Sequence, residues 1–466
     1  MITDGTTFIS PLGLWFTVAM GALMLLLPRR LALVPIVVIT CYMTLGQRVL
    51  VAGLDFTMIR IMIVFGWIRL IVRGEISAIR LGAIAKVVIW WVVSSILTYT
   101  LLWQTSEALI NRLGLAFNAL GLYFLFQLLI RDSKDIERAL KLLAILIVPL
   151  AIAMLIEKTT GTNAFAAFGG VSETTVVRDG RLRCQGPFTH PILAGTFGAT
   201  LAPLFVGLLW SRRFIGAIGI ISATIITLTS SSSGPVMAYL FGMLCLAMWP
   251  LQRHMRAIRW GLLFTVIALH LVMKVPVWFL IARVGAFAAS TGWHRAFLID
   301  RAIAHLDEWW LIGTKSTAQW GGNLFDVTNQ YILEGVDGGL PTMILFIAII
   351  ALSFRNLGRA LAVIKDELIH ERLLLWAMGA SLFAHVTSFL SVSYFDQIVV
   401  IWYLLLAIIS IATRTLSLQY SSAQATSAQL QTAAKSRSQS TFAGHRPPSY
   451  PYFSSPQKYR RDGPPY

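Results

Sequence analysis

The sequence predicts an all-α polytopic membrane protein. Of its 466 residues, 56% are hydrophobic and only 13% are charged, which is about half the charged fraction of a soluble domain. The mean hydropathy is +0.72. The apolar runs reach roughly 17–25 residues, the length of a membrane-crossing helix, and they lack the alternation of barrel strands. We therefore predict about 12–14 transmembrane helices.

The predicted spans follow one another with mostly short connections. About thirteen apolar runs are long enough, at residues 8–27, 31–45, 56–72, 84–103, 113–130, 140–156, 191–210, 214–228, 235–249, 262–280, 340–354, 373–392 and 397–413. The first two are short enough to form one hairpin, so twelve or fourteen spans remain alternatives. Before the sixth run, the charged segment 131–138 is compatible with a helix on the membrane surface.

Basic residues fall on one side of the membrane if these spans alternate. Cytoplasmic loops carry an excess of Lys and Arg, so the basic connectors mark the cytoplasmic side: Arg29 and Arg30, Arg73 and Arg80, 131–141, Arg212 and Arg213, 253–259, 355–365 and Arg414. The other connections then face outward: 47–55, 104–111, 157–190, 230–233, 281–339 and 391–396. This topology accounts for the net charge of +17 without a nucleic-acid partner.

The chain divides into a membrane domain and a tail. Residues 1–415 form one polytopic domain, whose large outward loop, about 281–339, lies between the spans near 262–280 and 340–354. Residues 416–466 are rich in Ser, Gln and Pro and are predicted to be a disordered cytoplasmic tail. Cys41, Cys184 and Cys245 lack metal-ligand spacing and are predicted to be buried thiols. Nucleotide-binding and zinc motifs are absent, so neither ATP-driven transport by this chain alone nor a bound metal is expected.

The first candidate site is an arginine-dense segment at the outer mouth of the seventh span. Arg181 and Arg183 precede His190, and Pro191 begins the span. Proline favours the first turn of a helix, whose free N–H groups make an anion site beside arginines. The alternative is snorkelling at the membrane interface. Arginines on the outer side oppose the usual charge bias, which favours a functional interpretation.

The second candidate site is a helix predicted over 293–305 on the outer surface. His294, Leu298, Arg301 and His305 share one face of this helix, since residues three or four apart are neighbours. Arg295 lies one position off that face. A solvated helix face is the alternative interpretation.

The third candidate site lies between residues 326 and 342. Gly338, Gly339 and Pro341 predict the start of the span at 340–354, with its free N–H groups directed outward toward an anion. Carboxylates that would serve as a general base are Asp326, Glu334 and Asp337.

Four spacings in these segments occur together in one known family. The spacings are Arg183-x-x-Gly186-x-Phe188, Arg295 followed by Leu311-Ile-Gly313, Thr328-Asn329 with nine residues and then Gly339 and Thr342, and the turn from Thr227 to Gly234. In the same order, they resemble four segments of the O-antigen ligase and O-antigen polymerase superfamily. The first two segments are Arg-x-x-Gly-x-Phe and Arg…Pro-Leu-x-Gly. The last two are His-(Asn/Ser/Gln)-x9-Gly-x-x-(Gly/Tyr/Thr) and Thr-x-Ser-Arg-Gly. This is a superfamily of membrane glycosyltransferases that use glycans linked to undecaprenyl diphosphate. The resemblance covers about residues 151–350.

The resemblance implies metal-independent glycosyl transfer, without a cofactor, on the periplasmic side of a bacterial inner membrane. Arginines of the family hold the diphosphate of the donor, because guanidinium groups bind phosphate oxygens bidentately and stay charged. Arg183 and Arg295 carry this role by motif match, and Arg181, Arg301 and Gly339 are added from their position. The implied partners are the undecaprenyl-diphosphate-linked glycan, the bilayer, chain-length regulators and export proteins.

Thr328 departs from the family pattern, because the ligases have a histidine there that activates the acceptor hydroxyl. A threonine hydroxyl is not a general base at neutral pH, which leaves that role to Asp326, Glu334, Asp337, His294 or His190. We therefore predict a polymerase of O-antigen or exopolysaccharide repeat units. The alternatives are an O-antigen ligase, a transporter of the lipid-linked glycan and a non-catalytic assembly subunit. A transporter is expected to have charged residues at mid-membrane, whereas the reactive side chains here cluster outside the spans.

Overall fold

The computed structural model describes residues 10–51, 54–76, 81–285, 291–364 and 367–415. The predicted tail 416–466, Arg80 in one basic connector and residues 286–290 of the large loop lie outside this part of the chain. The longer helices are α1 (Pro11–Leu26), α3 (Met58–Val72), α4 (Ala83–Trp103), α5 (Ser106–Leu129), α6 (Ser133–Thr160), α7 (Pro191–Leu208), α8 (Arg213–Thr229), α9 (Ser233–Ala247), α10 (Met255–Val272), α12 (Thr291–Ala304), α14 (Gln330–Val363), α15 (Ile369–Ser388) and α16 (Gln397–Thr415).

Shorter elements complete the described chain. The short α-helices are α2 (Val34–Tyr42), α11 (Leu280–Gly285) and α13 (Leu306–Trp309), and five 3-10 helices span Arg29–Leu31, Ala164–Phe168, Trp249–His254, Val277–Phe279 and Ala318–Trp320. Two antiparallel hairpins pair β1 (Arg48–Val51) with β2 (Leu54–Thr57) and β3 (Val176–Arg178) with β4 (Arg181–Arg183). These short ribbons do not change the all-α class.

The all-α polytopic membrane fold is confirmed at this level. Within the described residues, seven helices are long and apolar enough to cross a membrane, and α1, α8 and α9 are shorter apolar helices. The predicted number of about 12–14 spans stays a prediction. It exceeds the observed number because several predicted runs form short helices, such as the nine residues of α2 and the fifteen of α3.

Two predicted boundaries are wrong, and a third is incomplete. The charged segment 131–138 is no separate surface helix, since α6 begins at Ser133 and Asp132 caps it by accepting from the Asp135 N–H at 2.7 Å. The tenth span begins near 255 rather than 262. The helix predicted to start near 340 is present as the second of two helical segments in α14, which the non-helical Gly339 separates, and the prediction missed the first segment from Gln330.

The bundle has two chemically different ends. At one end basic connectors pair with the start of α6: Arg29 contacts Asp135 at 3.3 Å and Arg212 contacts Glu137 at 3.2 Å. At the other end, Gln397 donates to the carbonyls of both Met43 and Pro187 at 3.0 Å. We call the second end the cavity end. It gathers the connections predicted to share one side of the membrane, and which side it faces stays a prediction.

Helix α7 lies at the centre of the bundle and sets the geometry of the cavity end. Almost all its residues are buried. A Cβ at Gly195 would lie 2.4 Å from Ser230 Oγ, and one at Gly198 would lie 2.5 Å from the Ala223 carbonyl. Only glycine permits this approach, so the start of α7 packs directly on the end of α8.

The segment after α11 folds as a small layer against the first half of α14. Its buried apolar side chains include Leu298 and Ala302 of α12, together with Trp309, Trp320 and Leu324. The predicted helix at 293–305 is confirmed as α12. Its predicted face is not simply solvated, because Leu298 is fully buried.

Candidate functional site

A cavity of about 630 Å³ lies at the cavity end. Its walls come from the β3–β4 hairpin, the start of α7, the α8–α9 connection, α12, and the segments before α14 and after α15. Its charged and titratable lining residues are Arg178, Asp179, Arg181, Arg183, His190, His294 and Arg295. The four arginines face a single lining carboxylate, so the cavity is suited to an anion.

The β3–β4 hairpin carries three of these arginines. Its turn residues Asp179 and Gly180 have φ values of 53° and 69°, and an Asp-Gly pair with two positive φ angles is a favoured two-residue hairpin turn. Arg178 is the register partner of Arg181. Like charges placed directly opposite each other are unfavourable, so an anion between them would stabilise the hairpin.

Arg183 connects the hairpin to the serine-rich connection between α8 and α9. Its Nη2 donates to Ser232 Oγ at 2.8 Å. Burial lowers the pKa of Arg183, and the nearby guanidinium of Arg178 lowers it further, against an opposing contribution from Asp179. The unbound cavity thus disfavours the charge that Arg183 carries, and a bound anion would offset this cost.

Arg295 approaches the cavity from the opposite wall. It lies on α12, and its Nη2 would be 3.2 Å from a Cβ at Gly234, which places it beside the first turn of α9. Burial, with a smaller contribution from Arg178, lowers the pKa of Arg295 to about 10, so it stays charged at neutral pH. No hydrogen bond or ion pair joins its guanidinium to another residue of the described part of the chain.

The two histidines of the cavity differ in what they can do. His190 caps α7 by accepting from the Ile192 N–H at Nδ1, 3.2 Å away. Desolvation and the charge of Arg183 lower the pKa of His190, against an opposing contribution from Asp326. Neutral His190 therefore carries its proton on Nε2 and acts as a donor. His294 has no hydrogen-bond partner among the described residues, which leaves it available as a base.

The degenerate ligase pattern at Thr328 and Asn329 begins at the cavity. Thr328 lines the cavity. Asn329 is nearly fully buried and caps α14, since its side chain accepts from the N–H groups of Tyr331 and Ile332 at 3.0 and 3.2 Å. Asn329 thus orients the helix start, and Thr328 is the member of the pair that faces the cavity.

Two predicted residues lie on α14 away from the cavity. Glu334 accepts from Trp91 Nε1 and Gln330 Nε2, each at 2.8 Å, so a buried network between α4 and α14 occupies its carboxylate. Gly339 packs on the segment before Gly313, since the Leu340 N–H donates to the Trp310 carbonyl at 2.8 Å. The second helical segment of α14 does begin after the non-helical Gly339, but its first N–H group is bonded in this way and Gly339 does not line the cavity.

The other predicted residues also lie outside the cavity lining. Arg301 stacks over the ring of Phe297 at 4.8 Å. Asp337 pairs with Arg112 at 2.7 Å, and this contact ties α14 to α5. Asp326 is exposed and influences the cavity only through its charge on His190. Of the predicted residues, the structure thus brings together Arg181, Arg183, Arg295 and Thr328, with both histidines.

Sequence reasoning missed the residues that support the cavity from behind. Glu157 and Lys158, at the end of α6, contact the hairpin loop and the serine connection. The sequence signal that could have identified them is their position as a charged pair directly after the apolar run 140–156. The β3–β4 hairpin was also missed, although Asp179 and Gly180 between β-branched and basic residues form a recognisable turn signal.

No protein-family model, curated protein or solved structure matches the chain. The geometry of the cavity therefore provides the support for a function.

Proposed function

We propose that the chain is a membrane glycosyltransferase that polymerises oligosaccharide repeat units linked to undecaprenyl diphosphate, in O-antigen or exopolysaccharide biosynthesis. The observation that carries the proposal is the meeting of Arg183 and Arg295 in one cavity with Arg178 and Arg181. Arg183 and Arg295 are far apart in the sequence, and each belongs to a separate motif of the resemblance. In this proposal the cavity end faces the periplasm of a bacterial inner membrane.

The reaction needs stabilisation of a leaving diphosphate. A hydroxyl oxygen of the acceptor sugar forms a bond to the anomeric carbon of the donor, while the bond from that carbon to the diphosphate oxygen breaks. Undecaprenyl diphosphate leaves with the electron pair. Arg183 and Arg295 meet the growing negative charge from opposite walls, and preorganised cations aimed at developing charge are a large source of rate enhancement.

The acceptor proton needs a base near the same cavity. His294 is adjacent to Arg295 and lines the cavity without a hydrogen-bond partner in the described residues, so it is assigned this role. His190 is less suitable, because its Nδ1 lone pair is occupied by the Ile192 N–H. Thr328 in place of the ligase histidine favours a polymerase over a ligase.

Arg183 gives the cellular test. We expect Arg183→Ala to abolish long polymer in producing cells and Arg183→Lys to restore only part of it, because a lysine cannot bind phosphate oxygens bidentately. Polymer length on gels and the amount of protein in the membrane are measured together. Arg213→Ala, at an exposed position of α8, is the matched control. Normal polymer length and amount with Arg183→Ala would contradict the proposal.

A further inference from the structure

The end of α6 holds two walls of the cavity without lining it. Lys158 Nζ donates to the Leu182 carbonyl at 2.5 Å and to Ser231 Oγ at 2.8 Å. Leu182 lies between Arg181 and Arg183 in β4, and Ser231 lies in the serine connection with a positive φ of 45°. One ammonium group therefore ties the arginine hairpin to the serine connection.

Glu157 holds the loop that follows the hairpin. Its carboxylate accepts from the backbone N–H groups of Gln185 and Gly186 at 3.1 and 2.9 Å, and from Thr175 Oγ1 at 3.2 Å. The side chain is 1% exposed. The three donors come from both sides of the hairpin, so the carboxylate fixes the hairpin at its base.

The position of Glu157 has an electrostatic cost. Glu157 lies near the C-terminal end of α6, where the helix dipole disfavours a negative charge. A buried carboxylate is also costly to desolvate. Lys158 offsets part of this cost, since a cation near a helix C-terminus is favourable. An apolar pair would avoid the cost of burying charge, but it would leave the Gln185 and Gly186 N–H groups without this acceptor and would not fix the hairpin against Ser231.

We infer that Glu157 and Lys158 are positioning residues that set the spacing of the arginine hairpin for a diphosphate. The inference rests on the proposed function, since it assumes that the arginines bind that group. Lys158 fixes the hairpin against Ser231, and Arg183 makes the parallel contact to Ser232 at 2.8 Å. If Lys158 were lost, the hydrogen bond from Arg183 would be the side-chain contact that still joins the hairpin to the serine connection within the described residues.

The test is binding of inorganic pyrophosphate to the purified full-length protein by isothermal titration calorimetry. We expect Lys158→Met to raise the pyrophosphate Kd by roughly 10–100-fold, by analogy with metal sites, where loss of a residue that orients a ligand weakens binding by that factor. The fraction of protein that binds is expected to stay unchanged. Lys158→Arg is expected to recover much of the affinity. Lys141→Met is the matched control, because Lys141 lies on the same helix at the opposite end and pairs with Glu137.

The binding isotherm separates positioning from a merely structural role. A structural role lowers the binding-competent fraction and the unfolding temperature but leaves the Kd of the remaining protein unchanged, and this result would overturn the inference. Glu157→Gln provides a second variant with the same expected rise in Kd. Unchanged pyrophosphate affinity in both variants, with wild-type glycosyl transfer intact, overturns the inference alone. Pyrophosphate binding by the wild type without glycosyl transfer overturns the proposed function instead.

Discussion

Replacing Arg295 with Ala is expected to lower the rate of glycosyl transfer by about 100–1,000-fold, the usual loss when one preorganised charge-stabilising donor is removed. Arg295 is partly buried and has no partner among the described residues, so its charge is available to the leaving group. The effect should fall mainly on kcat, since the diphosphate gains negative charge in the transition state. Arg295→Lys should recover only part of the rate.

The measurement is single-turnover transfer by purified protein supplied with lipid-linked repeat units. Arg283→Ala is the matched control, because Arg283 is exposed on the neighbouring helix α11 and lies outside the cavity lining. The unfolding temperature of each variant is measured in parallel. A wild-type rate for Arg295→Ala at normal stability would remove Arg295 from the mechanism.

Replacing Gly339 with Ala is expected to destabilise the protein strongly. Gly339 has φ 71° and ψ −178°, a conformation that is essentially restricted to glycine and costs other residues about 1–3 kcal/mol. A Cβ there would also lie 2.3 Å from the Leu311 carbonyl. The added atom would force apart α14 and the segment from Trp310 to Gly313. We expect a lower unfolding temperature and less protein in the membrane.

Gly358 provides the control for Gly339 within the same helix. A Cβ at Gly358 meets no atom within 4 Å, and alanine is favoured over glycine in a helix interior by roughly 0.5–1 kcal/mol. Gly358→Ala should therefore unfold at the wild-type temperature or slightly above it. Equal unfolding temperatures for the two variants would show that the kink at Gly339 does not depend on glycine.

The parts of this fold that sequence predicts well are those fixed by apolar runs. The bounds of α4, α7, α8 and α16 fall within a few residues of the predicted spans, because apolar runs of this length are typical of helices and too long for strands. The co-location of Arg183 and Arg295 also follows from sequence, since connections on one side of alternating spans are confined to one end of the bundle. The motif spacings then select these two arginines as the residues expected to bind the diphosphate.

The parts that sequence predicts poorly depend on contacts between distant segments. Gly338, Gly339 and Pro341 correctly predict a helix start near 340, but they do not show that a preceding helix from Gln330 joins it at the kink, where the Leu340 N–H donates to the Trp310 carbonyl. Proline is tolerated there as at the first turn of a new helix. Lys158 has its proposed positioning role only through its contacts with Leu182 and Ser231. The sequence around Lys158 does not reveal those contacts.

The most direct test of the proposed function is the reaction itself. Single repeat units on undecaprenyl diphosphate, extracted from producing cells that lack this chain, are incubated with the purified protein in liposomes. The lipid products are then analysed by mass spectrometry. We predict lipids that carry two or more repeat units, with one undecaprenyl diphosphate released for each new linkage and no product from the Arg183→Ala, Arg295→Ala double variant. Unchanged single repeat units with the wild-type protein, or equal product with the double variant, would contradict the proposed function.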